Sequence, residues 1–391
     1  MLRVERDQIL GFRLASQHLI ERLPAGSLLA AAAVCGIQDT PLNTAPSAFH
    51  ARVAELGPAE VGRTLTADRS LLGVWSMRGA PYVVPTADAA VFTAGSLPVD
   101  QVSFGVFLGG WAASLEAAGL SVPELLDAMA TAAMQALDGQ QLPIDELRTQ
   151  IARRVPALAG LERPGGAHAD MPEPLVRALG LLGVVCIAAE PGSDPRLART
   201  DATVARTDQW LGRPLPDGDR QLARAELARR FLHCYGPSTS RAFAEWTTRS
   251  VADARDAFAL LDEELVRVDA AGAKAWALAA DADRLADPPQ AGGIRLLPPQ
   301  DPYLQQRDRT TLLPDKALHP MVWRPVRPPG VVLSAGHPVA TWRSRRAGKR
   351  LAVTVEPFGP LATRARASIR AEADRIAQLR DCQAAQVTFG T

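Results

Sequence analysis

Apolar residues recur at helical spacing in the first stretch of the chain, and two short apolar runs follow them. A 3.6-residue period predicts amphipathic helices, and short apolar runs around a turn predict a hairpin. Ser27 and Thr44 stand where helix caps are expected. The predicted elements are helices over 7–22, 27–34 and 45–56, a short fourth helix, and strands over 71–77 and 81–85 around a turn at Arg78. Helices followed by a hairpin are typical of a winged helix.

The same order of elements recurs twice. In the last copy, Ser250 and Asp253 are spaced as a capping box at the start of a helix. The second copy has helices over 122–137, 145–154 and from 173, a strand over 182–188 and a turn at 190–193. The third has helices over 219–235, with Leu222, Leu227, Phe231 and Tyr235 on its apolar side, 239–248 and 250–261, then strands over 265–269 and 274–279. The pattern predicts a mainly α protein with small β wings (α+β), built of three tandem winged helix-turn-helix units over 1–100, 101–210 and 211–286.

Residues 287–391 have a different pattern. The Pro- and Gly-rich stretch 288–300 reads as a linker. Strand-like pieces follow at 321–323, 330–334, 338–342 and 350–356, and an amphipathic helix over 361–380 closes the chain. We therefore expect a C-terminal β-rich region with a final helix.

Composition narrows the class of protein. The length of 391 residues indicates two to four domains, and the hydrophobic content of 47% is enough to fill their cores. No apolar run is long enough to cross a membrane and no signal peptide opens the chain, so a cytoplasmic protein is predicted. The four cysteines and six histidines are dispersed, which argues against a disulfide framework, a metal site or a metal cofactor. Cys35 and Cys186 read as buried apolar residues.

Positive charge is concentrated in one segment. From Tyr303 to Arg350 the chain has ten Lys and Arg against two Asp, a net charge of +8 in a protein whose total is +1. Such a segment is typical of a surface that meets nucleic acid phosphates. In the third unit, by contrast, the helix that would read the major groove has Asp253 and Asp256, so we expect that helix to be structural.

Five motifs occur in order along the chain: Gly36-Ile37-Gln38, Val74-Trp75-Ser76-Met77-Arg78-Gly79, Leu296-Leu297-Pro298-Pro299-Gln300-Asp301-Pro302-Tyr303, Arg307-Asp308-Arg309 and Thr341-Trp342-Arg343-Ser344-Arg345-Arg346. Together they resemble the winged-helix DNA glycosylases typified by AlkZ and YcaQ, over residues 8–380 and closer to the AlkZ-like branch. The resemblance implies three winged helices arranged as a concave cradle for duplex DNA. It also implies excision of N-alkylated purines and unhooking of interstrand cross-links.

The resemblance implies a catalytic pattern of Gln-x-Gln or Gln-x-Asp after the second helix. Gln38 fills its first position, Thr40 stands at the second, and Asp39 is the nearby carboxylate. An N7- or N3-alkylated purine already has positive charge, so its departure needs no general acid. It needs a positioned water and stabilisation of an oxocarbenium-like transition state. Gln38, Asp39 and Thr40 are therefore the candidate catalytic residues, and Asp39 can serve in a shifted Gln-Asp site or be a turn residue.

Cations near predicted turns are the candidate DNA-binding residues. Arg78 stands at a hairpin tip, where an arginine can bind phosphate or enter a minor groove. Alternation places Arg343 and Arg345 on one strand face. The full set is Arg78, Arg307, Arg309, Arg343, Arg345, Arg346, Lys349 and Arg350. Asp301 and Asp308 are expected to pair with these arginines, Trp75 and Tyr82 to pack in the core, and His50 to pack on its helix or line a pocket.

Three functions follow from these features. The first is a monomeric, nucleoid-associated DNA glycosylase for bulky or cross-linked N7/N3-alkylpurines, acting in repair or antibiotic self-resistance without a cofactor. The second is a winged-helix protein that binds duplex DNA without chemistry, as a regulator or a shield over lesions, and Thr40 favours it. The third is a cradle recruited to bind a small molecule.

Overall fold

The computed structural model describes residues 2–159, 161, 172–188, 202–215 and 218–390. It is a mixed α+β protein. In the first region its elements are β1 Leu2–Val4, α1 Arg6–Ser16, α2 Leu28–Ala33, β2 Ile37–Gln38, α3 Ala45–Arg52, α4 Glu60–Thr66, β3 Leu71–Trp75, β4 Pro81–Pro85 and α5 Ala89–Phe92. The hairpin predicted at Arg78 is confirmed. Helix α3 ends at Arg52 and not at Leu56, because Val53 is extended and bridges Leu23.

The second region has α6 Gln101–Leu108, α7 Trp111–Ala117, α8 Val122–Ala136, β5 Leu142–Pro143, α9 Ile144–Arg154, α10 Glu173–Leu181, β6 Val185–Ala188, β7 Thr203–Arg206 and α11 Thr207–Leu211. The predicted strand over 182–188 is shorter, because Gly183 with a φ of 74° follows α10. The turn predicted at 190–193 lies outside the described residues, and so does the Gly-, Pro- and Ala-rich stretch that the sequence places at 163–172, except for Pro172.

The third region has α12 Arg220–Tyr235, α13 Ser240–Thr247, α14 Val251–Ala259, β8 Leu265–Ala270, β9 Ala273–Leu278 and α15 Ala282–Ala286. The Ser250 side chain caps α14 by accepting from the Asp253 amide at 3.0 Å. The reciprocal half of the capping box is absent among the described contacts, because the Ser250 amide donates to Ser103 Oγ at 3.1 Å. Leu222, predicted on the apolar side of α12, is 69% exposed, so that assignment is wrong.

The C-terminal region has β10 Ile294–Leu297, α16 Arg309–Leu312, α17 His319–Val322, β11 Gly330–Ser334, β12 His337–Ala347, β13 Arg350–Pro357, α18 Thr363–Leu379 and β14 Ala384–Phe389. Three predictions are corrected here. The supposed linker contains β10, which pairs with β11. The strand predicted at 321–323 lies in and just after α17, where Pro320 suits the first helical turn. Helix α18 does not close the chain, because β14 pairs in parallel with β13.

The strands of the described residues form three sheets. One has the order β1-β8-β9, one has the order β10-β11-β12-β13-β14, and one joins the first two regions in the order β2-β4-β3-β6-β7-β5. The contact between β3 and β6 is the pair Gly73 and Ile187. A Cβ on Gly73 would lie 2.8 Å from the Ile187 carbonyl oxygen, so a glycine is required at that close approach.

Apolar clusters join regions that are distant in sequence. Tyr82 and Phe92 of the first region share a core with Phe231, Phe243 and Trp246 of the third. Burial of such side chains contributes about 1.5–3 kcal/mol each, and it fixes the backbone of α13 beside the first hairpin. Among the helices of the described ranges, none combines the length and apolar character that a membrane crossing requires.

Candidate functional site: an arginine-rich cavity

A cavity of about 450 Å³ opens between the first hairpin and the chain that follows β10. It is lined by Gln38, Arg78, Ala80, Gln300, Leu304, Gln305, Arg307, Arg309, Val322, Trp323, Arg324, Pro325, Pro328 and Pro329. Four of these side chains are arginines and none is a carboxylate. The cavity therefore brings the predicted residues Gln38, Arg78, Arg307 and Arg309 together, in a volume suited to a small-molecule-sized group.

Gln38 lies on β2 with its side chain almost fully buried and one face on the cavity. Its Oε1 accepts from Arg78 Nη2 at 2.9 Å and from the Tyr82 hydroxyl at 3.3 Å. A guanidinium can only donate, so this network fixes the amide with its oxygen toward Arg78. Nε2 of Gln38 has no protein partner in the described residues. That N–H₂ group is the part of Gln38 that remains for a water or substrate.

The side chains of Asp39 and Thr40, unlike that of Gln38, do not face the cavity. The Asp39 carboxylate accepts from the amides of Thr44 at 2.7 Å, Ala45 at 2.8 Å and Asn43 at 3.0 Å, and so caps the start of α3. Burial raises the pKa of this carboxyl, and the same amides act in the opposite direction. The Thr40 hydroxyl is buried with no hydrogen-bond partner among the described residues. Neither side chain lines the cavity.

Arg78 is at the hairpin turn, as the sequence predicts, but its side chain is directed inward. Its φ of 62° is unusual for a residue with a Cβ and costs roughly 1–3 kcal/mol unless neighbours hold it. Three acceptors do so: Gln38 Oε1, Gln305 Oε1 at 3.0 Å and the Trp246 carbonyl at 3.3 Å. Arg78 thus links the first hairpin to α13 and to the C-terminal region.

Gln300 and Gln305 are cavity residues that sequence reasoning missed. Gln305 Nε2 donates to Gln300 Oε1 at 2.8 Å. Gln300 has a φ of 60° in a turn closed by the Asp301 amide on the Pro298 carbonyl at 3.2 Å. Glycine or asparagine is usual at this turn position. A glutamine in the stretch Pro298-Pro299-Gln300-Asp301 was the signal that could have identified it.

Arg307 and Arg309 complete the cationic wall. Nε and Nη2 of Arg307 are buried and have no hydrogen-bond partner in the described part of the chain. Burial, and then the nearby Arg78, lowers the pKa of Arg307 to about 10, so it stays charged at neutral pH. Arg309 lies over the Trp323 ring, 4.9 Å from its centroid, and burial lowers its pKa. A buried guanidinium with unused donors is suited to an anionic group.

The five cations of the β12–β13 hairpin are exposed. Arg343 and Arg345 share a face of β12, while Trp342 is buried and Ser344 is half-buried. Gly348 makes the turn with a φ of 59°. Arg343 Nη2 donates to the Arg327 carbonyl at 2.7 Å, which ties β12 to the loop that borders the cavity. Within the described ranges, no ion pair forms at Arg343, Arg345, Arg346, Lys349 or Arg350.

Other predicted residues belong to the scaffold. Trp75 and Tyr82 are buried, as expected. Asp301 and Asp308 do pair with arginines, but with Arg52 and Arg13 and not with the cations of the basic segment. His50 packs on α3 outside the cavity, and burial, with Arg22 nearby, lowers its pKa to about 4. No cluster of three or more potential metal ligands occurs in the described residues.

The chain is an α+β protein with a cationic cavity beside an extended basic hairpin. Residues 31–379 match the family model described as DNA glycosylase AlkZ-like. That match covers most of the chain, and the protein therefore belongs to the AlkZ-like DNA glycosylase family.

A curated relative and a solved structure are similar to this chain. The relative is the interstrand DNA cross-link repair glycosylase of Streptomyces sahachiroi, 26% identical over 316 residues, which are 79% of this chain and 80% of the relative. The structure is that of Streptomyces sahachiroi DNA glycosylase AlkZ, with a TM-score of 0.79 and 23% identity over 100% of both chains. At that identity the structural similarity supports the fold.

Proposed function

We propose that the protein is a monofunctional DNA glycosylase that hydrolyses the N-glycosidic bond of bulky or cross-linked N7/N3-alkylpurines in duplex DNA. The observation that carries this proposal is Gln38. Its amide is held by Arg78 and Tyr82 with the N–H₂ group free, on a cavity of about 450 Å³ with four arginines. Family membership and the name of the Streptomyces sahachiroi relative, a cross-link repair glycosylase, support the choice of reaction.

The reaction proceeds without a general acid. The C1′–N bond of the cationic nucleoside breaks, and its electron pair leaves with the base, which becomes neutral. A water held by Gln38 forms the new bond to C1′ and loses its proton to solvent. The transition state is cationic at the sugar, and none of the described residues that line the cavity is a carboxylate. The negative charge near C1′ then comes from the DNA phosphates, which the arginines hold in place.

We place the duplex along the cavity mouth and the β12–β13 hairpin. Arg307, with unused donors, and Arg309 bind phosphates close to the lesion. Arg78, a candidate DNA-binding residue in the sequence, instead holds Gln38 and Gln305 at the cavity wall. The exposed cations of the hairpin follow the backbone farther along. The three helical regions act as winged-helix units that shape a concave cradle, and a monomer suffices because one chain supplies every residue named. DNA binding of this kind places the protein at the nucleoid.

Release of free base from an N7-alkylguanine duplex tests the enzymatic function. Wild-type protein is expected to release base under single-turnover conditions. Gln38→Ala removes one preorganised hydrogen-bond donor and should slow release by roughly 100- to 1000-fold, with duplex affinity unchanged. Gln135→Ala, an exposed change on α8, is the matched control and should leave the rate unchanged.

Binding without chemistry is the second candidate, and one observation favours it. Asp39 is used as a helix cap and the Thr40 hydroxyl is buried, so the loop offers the cavity Gln38 alone. Under this alternative, wild-type protein retains duplex affinity but releases no base from methylated, bulky or cross-linked substrates. That result would exclude the enzymatic function.

A further inference from the structure

The loop that holds Gln38 does not supply the second hydrogen-bonding group that its family pattern leads one to expect. Both Asp39 oxygens are engaged by backbone amides at the start of α3. The Thr40 hydroxyl is sealed from solvent and has no partner in the described residues. Gln38 itself presents only its N–H₂ group. A water bound there would receive a hydrogen bond, and an acceptor for the water's own hydrogens must come from another part of the cavity.

Gln305 lies where that acceptor is needed. One nitrogen, Arg78 Nη2, donates to Gln38 Oε1 at 2.9 Å and to Gln305 Oε1 at 3.0 Å, so the two glutamines are neighbours on the cavity wall. An amide oxygen has two lone pairs. Arg78 uses one on Gln305, and the other remains for a water.

The orientation of Gln305 is fixed from its other side. Its Nε2 donates to Gln300 Oε1 at 2.8 Å, which turns Oε1 toward Arg78 and Gln38. Gln300 is held with a φ of 60° at a turn position where glycine is less strained. The fold thus accepts backbone strain to place an amide beside Gln305. Among the described residues that line the cavity none is a carboxylate, so the side-chain acceptors along this wall are the oxygens of neutral amides.

We propose that Gln305 is a catalytic residue that binds the attacking water together with Gln38, and that it takes the role which Thr40 does not fill. Gln300 is a positioning residue that holds Gln305. The inference rests on the proposed function. In the reaction, Gln38 donates to the water oxygen and Gln305 accepts from a water hydrogen, while the lone pair on oxygen attacks C1′. The base departs with the electrons of the broken C1′–N bond, and the water proton passes to solvent.

The test combines Gln305→Ala with Thr40→Gln in single-turnover base release from an N7-alkylguanine duplex. Gln305→Ala should slow release by roughly 100-fold, the size of losing one preorganised hydrogen-bonding group. Duplex affinity should stay within about twofold, since Gln305 contacts the water and not the DNA backbone. The double variant with Thr40→Gln and Gln305→Ala should release base at least about tenfold faster than Gln305→Ala alone, because Thr40→Gln gives the loop a second amide. Gln300→Ala should have a smaller effect, and Gln135→Ala none.

Each result decides the inference. An unchanged rate for Gln305→Ala in an active protein would overturn it and leave the proposed function standing. A slow Gln305→Ala protein that Thr40→Gln does not rescue would also overturn it, since Gln305 would then only hold Arg78. If wild-type protein releases no base but the Thr40→Gln variant does, the inference is overturned, because the wild-type site then lacks a second amide and Gln305 does not provide it. Inactivity of both proteins would overturn the proposed function itself, and the inference with it.

Discussion

The molecule uses arginine in two ways that differ in their partners. In the scaffold, guanidinium groups are buried against carboxylates, as in Arg52 with Asp301 and in Arg224 and Arg249 with Asp253. In the cavity and on the β12–β13 hairpin, arginines line a space without carboxylates or stand exposed without ion pairs among the described residues. The first kind satisfies its charge within the fold. The charge of the second kind is available to a polyanion. Breaking a pair of the first kind should therefore lower the stability of the fold, whereas removing an arginine of the second kind should lower the affinity for DNA.

The largest effect on stability is expected at the buried pair of Arg52 and Asp301. Asp301→Ala leaves Arg52, which is 2% exposed, without its carboxylate. The free energy of unfolding should fall by about 3–5 kcal/mol, as measured by urea denaturation. Arg345→Ala, an exposed cation of the hairpin, is the control and should change stability by less than about 0.5 kcal/mol. A small loss for Asp301→Ala would remove the distinction between the two kinds of arginine.

The next largest effect expected on stability is a pH dependence caused by His50, which lies near arginines that are already paired with Glu372. Glu372 already pairs with Arg22 and Arg375, so a protonated His50 would be an uncompensated cation. Its pKa in the fold is about 4 against an ordinary 6.5. The unfolded chain therefore binds the proton between these values, and stability falls as pH is lowered. Unfolding in urea should show a loss of about 2 kcal/mol between pH 7 and pH 5.

His50→Leu isolates this effect. The variant lacks the titrating group, so its loss of stability from pH 7 to pH 5 should be smaller than that of wild-type protein by the same amount. An equal loss in both proteins would assign the pH dependence to other groups.

Arg307 is the site arginine with the largest expected contribution to affinity. Arg307→Met removes a half-buried charge whose Nε and Nη2 have no protein partner among the described residues. The Kd for duplex DNA should rise about tenfold, as expected for one charged hydrogen bond. Stability should be unchanged or higher, because no pair is broken. Lower stability in urea would instead mean that Arg307 supports the fold; Arg307→Lys keeps the charge and should lose less affinity.

The smallest effect per residue is expected on the hairpin. Replacing Arg343, Arg345 and Arg346 together with Ala should lower the slope of log K against log salt by about three, one for each phosphate contact. Fluorescence anisotropy across a salt series measures this slope. Arg229→Ala is the control, because that guanidinium pairs with Glu226 and Glu264, and the slope should not change. An unchanged slope in the triple variant would place the DNA elsewhere.

The elements were largely predictable because their signals are local. Spacing of apolar residues and caps located the helices of the third region and the hairpin at Arg78. Errors occurred where partners distant in sequence decide the structure, as in β10, which forms a strand because β11 pairs with it. The direction of Arg78 could not be predicted for the same reason, since its acceptors Trp246 and Gln305 lie in other regions.

The candidate site was predictable only in part. Gln38 came from its resemblance to a family motif, and the basic segment from its local charge. In the sequence, Gln300 and Gln305 resemble ordinary surface glutamines. They line the same cavity only because the C-terminal region packs beside the first hairpin in the fold. Asp39 could not be recognised as a cap from its position alone, because its amide partners begin four residues later.

The pairing of β1 has a consequence for the time course of folding. Residues Leu2–Val4 pair in parallel with residues 268–270, and Arg6 and Arg13 bind groups at Thr311 and Asp308. On a ribosome, residues 2–4 therefore cannot pair until residues 268–270 have been synthesised and have emerged. Such long-range closure is entropically costly and slow. The first helix should be among the last elements to gain protection in pulse-labelling during synthesis.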